Sequence, residues 1–231
     1  MRNAGKSDSF SADGSDSRVS LFDDLAVSGI GLVFENQAWA EGYKLVAGLD
    51  EVGRGCIAGP VVAAACILDP SKPLPEGLND SKKVTESNRD EIAAQLKKTC
   101  IAYAIGQIEA DEIDRINILE ATKQAMLNAI ATLNPAADFL LIDALYLKRS
   151  PLPQISITKG DSISASIAAA SILAKTYRDD LMKAYDTEFP EYGFAGHKGY
   201  GAVTHFAAIR KHGHCKIHRK SFRGVLIQEN I

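Results

Sequence analysis

Four carboxylates stand where they could do chemistry together: Asp50, Glu51, Asp143 and Asp161. Asp50 and Glu51 close the apolar run 45–49, Asp143 closes the run 139–142, and Asp161 follows the run around Ile155 and Ile157. An acid at the end of a core strand is costly to bury unless something offsets its desolvation. A divalent cation is the natural offset. Residues 45–68 alone leave two readings open, a metal site and a solvated turn with two incidental acids. The set contains no His or Cys, and all-oxygen donors favour Mg2+ or Mn2+ over zinc. Two such ions make a clamp for in-line phosphodiester displacement; without them, four acids would repel a phosphate. Asp161 has a second reading, as the cap of the helix that follows it, and spacing alone favours that cap.

Such acids need strands and turns to hold them. The stretch 45–68 reads as a strand, a polar turn and a second strand, and residues 61–68 are apolar throughout, as in a strand covered on both faces. Within the turn, Gly53, Arg54 and Gly55 can bring bare backbone amides and one guanidinium close to a ligand. Phe34, Ala38 and Trp39, ahead of Gly42, suggest a short amphipathic helix. Thr85 suits the N-cap of a helix with Ile92 and Leu96 facing inward. Ile101, Tyr103 and Ile105 alternate with small residues, as in a half-buried strand. Asn117 opens a helix striped by Leu119, Met126, Ile130 and Leu133, with Pro135 just beyond its end. A long helix is expected from Ser162 to about Tyr185. A glycine-rich loop, a short helix ending at Gly213 and a basic tail follow it. The order β, β, helix, β, helix, β, β, helix predicts an α/β domain with a mixed sheet and helices on its faces. If the strands ending in Asp50 and Asp143 are parallel neighbours, both carboxylates emerge at one edge of that sheet, within reach of Asp161.

The 231 residues, 46% of them hydrophobic, suffice for one sizeable domain. No apolar run reaches transmembrane length, and the N-terminus lacks the basic-then-apolar order of a secretory signal. Cys56, Cys66, Cys100 and Cys215 are widely spaced with no CxxC, so a reducing, cytoplasmic setting is expected. The formal net charge of −3 conceals an asymmetry, since residues 195–231 carry seven bases against one acid. A basic end on an acidic body suggests a phosphate-binding face. Residues 1 to about 20 are rich in Ser, Asp and Gly and are expected to be disordered. The resulting division is a tail over 1–32 and a domain over 33–231, with a core at about 44–190 and an extension at about 191–231.

Three other motifs fare differently. The spacing Gly53-x-Gly55-x-x-Ala58 matches a dinucleotide fingerprint, but Pro60 and a β run follow where a helix should open, and Asp50 and Glu51 would repel a pyrophosphate. His212-x-His214-Cys215-x-x-His218 has the composition of a zinc site without a second ligand-bearing segment. A basic, phosphate-contacting segment in which His218 and Arg219 touch the backbone of a nucleic acid is the better reading. The segments His197-Lys198-Gly199-Tyr200-Gly201 and Asp80-Ser81-Lys82 would, alone, be ordinary loops.

Together these pieces form a pattern. AGLDEVGRGCIAGPVVAAA, LNDSKKV, NILEATKQAM, LLIDAL, ITKGDSISASIAAASILAKTYRD, GHKGYG and IHRKSF occur in that order, and from about residue 34 to 225 the chain resembles ribonuclease HII, the bacterial type 2 ribonuclease H family. The resemblance implies a ribonuclease H-like fold, a mixed five-stranded sheet flanked by helices, with a helical C-terminal extension. It implies Mg2+- or Mn2+-dependent hydrolysis of RNA paired to DNA and nicking at single ribonucleotides in duplex DNA, leaving 3′-hydroxyl and 5′-phosphate ends. By the same resemblance Asp50, Glu51, Asp143 and Asp161 are the metal ligands, which overrides the cap reading of Asp161. Gly53, Arg54 and Gly55 read the ribose 2′-hydroxyl, the one feature that distinguishes RNA from DNA at a single nucleotide. Tyr200 lies under that sugar, and Ser81, Lys82, Lys159 and the basic segment with His218 and Arg219 hold phosphates. The first thirty-odd residues have no counterpart in the family's common core. Ala202 replaces a Thr that many members carry after GYG. No C-terminal clamp-binding peptide is visible, and a monomer is expected. The competing classes are a non-catalytic nucleic-acid-binding module, against which the intact acid quartet argues, and a structure-selective DNA nuclease, which would not need Tyr200 or the GRG turn.

Overall fold

The computed structural model describes residues 29–226. Most of the expected N-terminal tail lies outside these residues, but its last part does not behave as a tail. Gly31 bridges to Ser164, its N–H donates to the Ile163 carbonyl at 3.2 Å, and Ile30 and Leu32 pack against a buried cluster. The ordered unit therefore starts before residue 33, because Ile30 and Leu32 have apolar surface to bury and a place to bury it.

The elements run α1 (Val33–Ala40), β1 (Val46–Val52), β2 (Val61–Ile67), α2 (Glu86–Thr99), β3 (Ala102–Ile108), α3 (Ala110–Ile116) and α4 (Ile118–Thr132). They continue with β4 (Phe139–Asp143), β5 (Gln154–Ile157), a 3-10 turn (Gly160–Ser162), α5 (Ala165–Glu188), α6 (Phe194–His197) and α7 (Val203–His212). The five strands form one mixed sheet in the order β3-β2-β1-β4-β5. β1 pairs antiparallel to β2 and parallel to β4, and β4 pairs parallel to β5. Every residue of β2 is buried, as its unbroken apolar run requires between covered faces.

Several boundaries follow from local chemistry. The Thr85 side chain accepts the Asn88 N–H at 3.4 Å, and the Asn117 side chain accepts from Leu119 and Glu120 at 3.0 and 3.1 Å. Each oxygen satisfies an N–H that the first helical turn leaves without a carbonyl. The sequence reading passed over α3, a single short helix between β3 and α4. It also placed the inward face of α4 on Leu119, Met126, Ile130 and Leu133; Met126 and Leu133 are buried and Ile130 packs against the same core, but Leu119 is exposed and the rest of the buried face is Ala121, Thr122, Ala125 and Ala129. Small residues win because α4 lies close on the sheet. The same holds for β3, where Ala102 and Ala104 are buried and Tyr103 is exposed.

Close approach also explains Gly48. A Cβ there would lie 2.1 Å from the backbone of Ser166 in α5, so only glycine lets the long helix lie directly on β1. This contact holds β1 directly against α5. Among the described residues, no helix is long and apolar enough to cross a membrane.

Candidate active site

The parallel pairing of β1 with β4 sets Leu49 opposite Ile142. The next residue of each strand is an acid, so Asp50 and Asp143 leave the sheet side by side at the C-terminal edge of two parallel strands, where ligands of open α/β sheets gather. Glu51 follows Asp50 within β1. Asp161 arrives from β5 on the 3-10 turn, which is tied to β4 because the Gly160 N–H donates to Asp143 Oδ1 at 2.7 Å. Asp161 is not the cap of α5. That role falls to Ser164, whose side chain accepts the Ile167 N–H at 3.3 Å.

The acids feel one another. Burial, then the charges of Glu51 and Asp143, push the Asp50 carboxyl up to about 8. Burial also raises Glu51, against the pull of Arg54, and raises Asp143, against the Gly160 N–H. Glu51 Oε1 takes Arg54 Nη1 at 3.1 Å, while its Oε2 is buried without a hydrogen-bond partner. Lys82 Nζ lies 3.5 Å from Asp161 Oδ2 at the rim of the group. Among the described residues no three His, Cys, Asp or Glu side chains are gathered closely enough to cage a metal ion. The four acids share an edge, and like-charge repulsion couples Asp50 to Glu51 and Asp143, and Asp143 to Asp161.

Other expected site residues sort into two groups. Arg54, Gly55, Lys82, Lys159 and Tyr200 are exposed, Tyr200 at 45% of its surface. The turn of Gly53, Arg54 and Gly55 lies beside the strap bearing Tyr200, for the Ile57 and Ala58 N–H groups donate to the Gly199 carbonyl at 2.9 and 3.2 Å.

Ser81, His218 and Arg219 correct the sequence reading, since these residues are only 5%, 1% and 0% exposed and their side chains bond within the protein rather than face a phosphate. The Ser81 hydroxyl bonds to Ser171 of α5 at 2.9 Å, and Ser171 in turn supports the Asp50 carboxylate. His218 Nε2 meets His205 Nε2 at 3.0 Å, and His218 Nδ1 accepts the Cys215 N–H at 3.0 Å. His205 Nδ1 reaches the Tyr200 carbonyl at 2.7 Å, which requires the proton on that nitrogen. Burial pushes both imidazoles down to about 4. Of the His and Cys patch, His218 and Cys215 thus join His205 in an internal hydrogen-bonded chain that ends on the tyrosine strap, while His212 and His214 stay exposed. Basic residues in sequence suggested phosphate contact; at His218 apolar Ile209, Ile217 and Phe194 enclose the side chain instead, while Lys216 and Lys220 remain exposed.

Sequence reasoning also missed Arg89, Asp179 and Arg178. Arg89 Nη2 pairs with Asp179 Oδ2 at 3.0 Å, and Arg89 Nη1 donates to the Ser81 carbonyl at 3.1 Å. This ties the loop carrying Lys82 to α5. The only signal available was helical spacing: Arg178 and Asp179 fall on a helix whose other faces are apolar, where charged residues are rarely buried without specific partners.

The open mixed sheet with acids at one edge defines a class. The fold is that of the ribonuclease H2 from Pyrococcus horikoshii OT3, which matches with a TM-score of 0.67 at 24% identity over 79% of this chain and 95% of that one. It also matches Bst-RNase HIII, solved in complex with Mn2+, with a TM-score of 0.59 at 19% identity over 78% of this chain and 68% of that one. The sequence pattern of the family Ribonuclease HII matches residues 47–225. The ribonuclease HII of Desulfitobacterium hafniense (strain DSM 10664 / DCB-2) is 55% identical over 197 residues, 85% of this chain and 75% of that protein. The chain belongs to the ribonuclease HII family, and it is a ribonuclease H, an endonuclease of the hydrolase class.

Proposed function

We propose that this chain cleaves the RNA strand of RNA/DNA hybrids and nicks on the 5′ side of single ribonucleotides in duplex DNA, leaving 3′-hydroxyl and 5′-phosphate ends. The observation that carries the reading is the edge shared by Asp50, Glu51, Asp143 and Asp161, next to the Gly53–Gly55 turn, exposed at Arg54 and Gly55, and the exposed Tyr200. The acids fit a divalent metal: all donors are hard oxygens, Glu51 Oε2 is buried and unpartnered, and Asp50 resists ionisation in the absence of a counter-charge. The structurally similar ribonuclease HIII solved with Mn2+ supports the same choice. When bound, two Mg2+ or Mn2+ ions would activate water and neutralise the leaving oxygen of an in-line displacement.

The protein's own groups set the geometry around that chemistry. Asp50 and Asp143 hold their places through Ser171 and the Gly160 N–H, so little reorganisation remains at the moment of reaction. Arg54 and Lys82, each within reach of an acid in the free protein, are free to turn toward a phosphate when the acids find another cation. Lys159, exposed beside Asp161, offers a further phosphate contact. The Gly53–Gly55 backbone and Tyr200 meet the ribose. The test is a duplex with one ribonucleotide, incubated with Mg2+, with Mn2+ and with EDTA. A nick 5′ of the ribonucleotide with either metal, absent with EDTA, supports the reading. Cleavage of an all-DNA duplex, or none under any condition, would refute it.

A further inference from the structure

Two arginines, Arg178 of α5 and Arg219 near the C-terminus, are fully buried, and all the hydrogen bonds of their guanidinium groups go to backbone carbonyls. Arg178 donates from Nε to Pro60 at 3.0 Å, from Nη2 to Ala58 at 3.1 Å and from Nη1 to Lys198 at 2.8 Å. Arg219 donates from Nε to Gly59 at 2.9 Å and from Nη1 to Arg54 at 3.1 Å, and its Nη2 is buried without a hydrogen-bond partner. Among the described residues neither guanidinium forms a salt bridge; Arg219 has the Phe222 ring at 5.0 Å and the field of Asp114 to add to its carbonyls. Burial on such terms is a poor way to gain stability, because the desolvation is only partly returned. The accepting carbonyls explain why the chain bears that cost. They all lie on the segment 54–60 and on the strap leading to Tyr200.

The two N–H groups that matter most are set by those carbonyls. In a trans peptide the carbonyl of one residue and the N–H of the next point to opposite sides of the chain. Drawing the Arg54 carbonyl inward to Arg219 therefore turns the Gly55 N–H outward. The Gly53 carbonyl accepts the Cys56 N–H at 3.3 Å, which turns the Arg54 N–H away in the same manner. Among the described residues, neither the Arg54 nor the Gly55 N–H has a backbone partner, and both residues are exposed. Gly53 itself sits at a φ of +92° directly on Arg178, where a Cβ would lie 2.3 Å from Nε. The same Arg178 holds the Lys198 carbonyl, two residues before Tyr200.

We propose that Arg219 and Arg178 are positioning residues for ribose selection: they turn the carbonyls of the GRG segment and the tyrosine strap inward, so that the Arg54 and Gly55 N–H groups face the sugar at a set distance from the Tyr200 ring. This rests on the reading that the GRG turn and Tyr200 meet the ribose. Neither arginine touches the substrate. What they supply is orientation, and its loss falls on discrimination rather than on duplex affinity.

The experiment uses the full chain carrying Asp143→Asn, which suppresses cleavage. Affinity is measured for a duplex with one ribonucleotide and for its all-DNA twin, with Mg2+ present. The parent variant should prefer the ribonucleotide. Adding Arg219→Gln should abolish that preference and leave affinity for the all-DNA twin unchanged; Arg219→Lys, which can restore one of the two bonds, should regain part of it. A preference retained in a folded Arg219→Gln chain overturns the proposal, and so does an equal loss of both affinities, which would mark a mere structural prop. If Arg219→Gln does not fold, Arg219→Lys decides, with a parent-like preference counting against the proposal. A parent variant with no preference at all would instead bring down the ribose reading, and this proposal with it.

Discussion

Asp143 is the residue on which strand and turn meet, accepting the Gly160 N–H while standing next to Asp50. Asp143→Asn keeps its shape and can still accept that bond through the amide oxygen, but removes one charge from the proposed metal-binding edge. Single-turnover cleavage should fall by orders of magnitude while duplex affinity is kept. Turnover close to that of the wild type would contradict the assignment. The role proposed for Tyr200 separates recognition from affinity. Tyr200→Phe should lose about 0.5–1.5 kcal/mol, one hydrogen bond, and keep the ring face. Tyr200→Ala should depress cleavage at a lone ribonucleotide far more than binding to plain duplex DNA, because phosphate contacts carry no information about the sugar. Single-turnover rates beside all-DNA binding measure both, and an equal loss of the two would contradict the role.

At the scale of elements, α7 begins badly. Its N-cap is Ala202, in the extended conformation a cap requires but with no side chain to accept a first-turn N–H. Ala202→Ser should stabilise the protein by about 1 kcal/mol, a rise of roughly 2–4 °C in Tm for a domain of this size, read by thermal unfolding. An unchanged or lower Tm would show that the serine does not cap the helix. The other end of this unit depends on pH. His205 and His218 are held neutral with folded values near 4, below the ordinary 6.5, so the folded state binds fewer protons than the unfolded one between those values. The stability they contribute is fully present above pH 6.5 and is lost as the pH falls toward 4. Asp50, raised to about 8, runs the other way over the same range. The imidazole resonances in NMR are therefore the clean readout, and titration near 6.5 would refute the buried relay.

At the scale of the whole molecule, residues 195–231 of the sequence are basic, with seven bases against one acid, but burial divides that charge by role. Arg219 is used internally, Lys216 pairs with Glu188 at 2.7 Å, and Lys220 and Arg223 remain exposed. Neutralising Lys220 and Arg223 together should weaken binding to any duplex uniformly. It should also reduce the slope of log affinity against log salt by about 1 for each phosphate that is no longer neutralised. An unchanged slope in a salt titration would mean that the duplex lies elsewhere. The extension stays in place through Asp114 of α3, which accepts the Lys220 and Ser221 N–H groups at 2.8 and 2.9 Å.

Some of this was legible in the chain itself. Apolar runs ending in acids place Asp50 and Asp143 at strand ends whatever the tertiary fold, because burial stops where ionisable groups begin. The capping of α2 and α4 by Thr85 and Asn117 is equally local, since a side-chain oxygen three residues from an open N–H needs no distant partner. The fold class followed from the order of such elements and from motifs that occur together. What sequence could not decide was which polar residues face water. Ser81, His218 and Arg219 look like surface groups in a basic or hydrophilic stretch, and only the packing of α5 and of the C-terminal segment around Ile217 turned them inward. Likewise, nothing near Arg178 in sequence points to residues 58, 60 and 198, the carbonyls it holds across 20 to 120 positions of chain. Burial is a property of neighbours brought together by the fold, so the supports of the candidate site became visible only when the tertiary structure put them there.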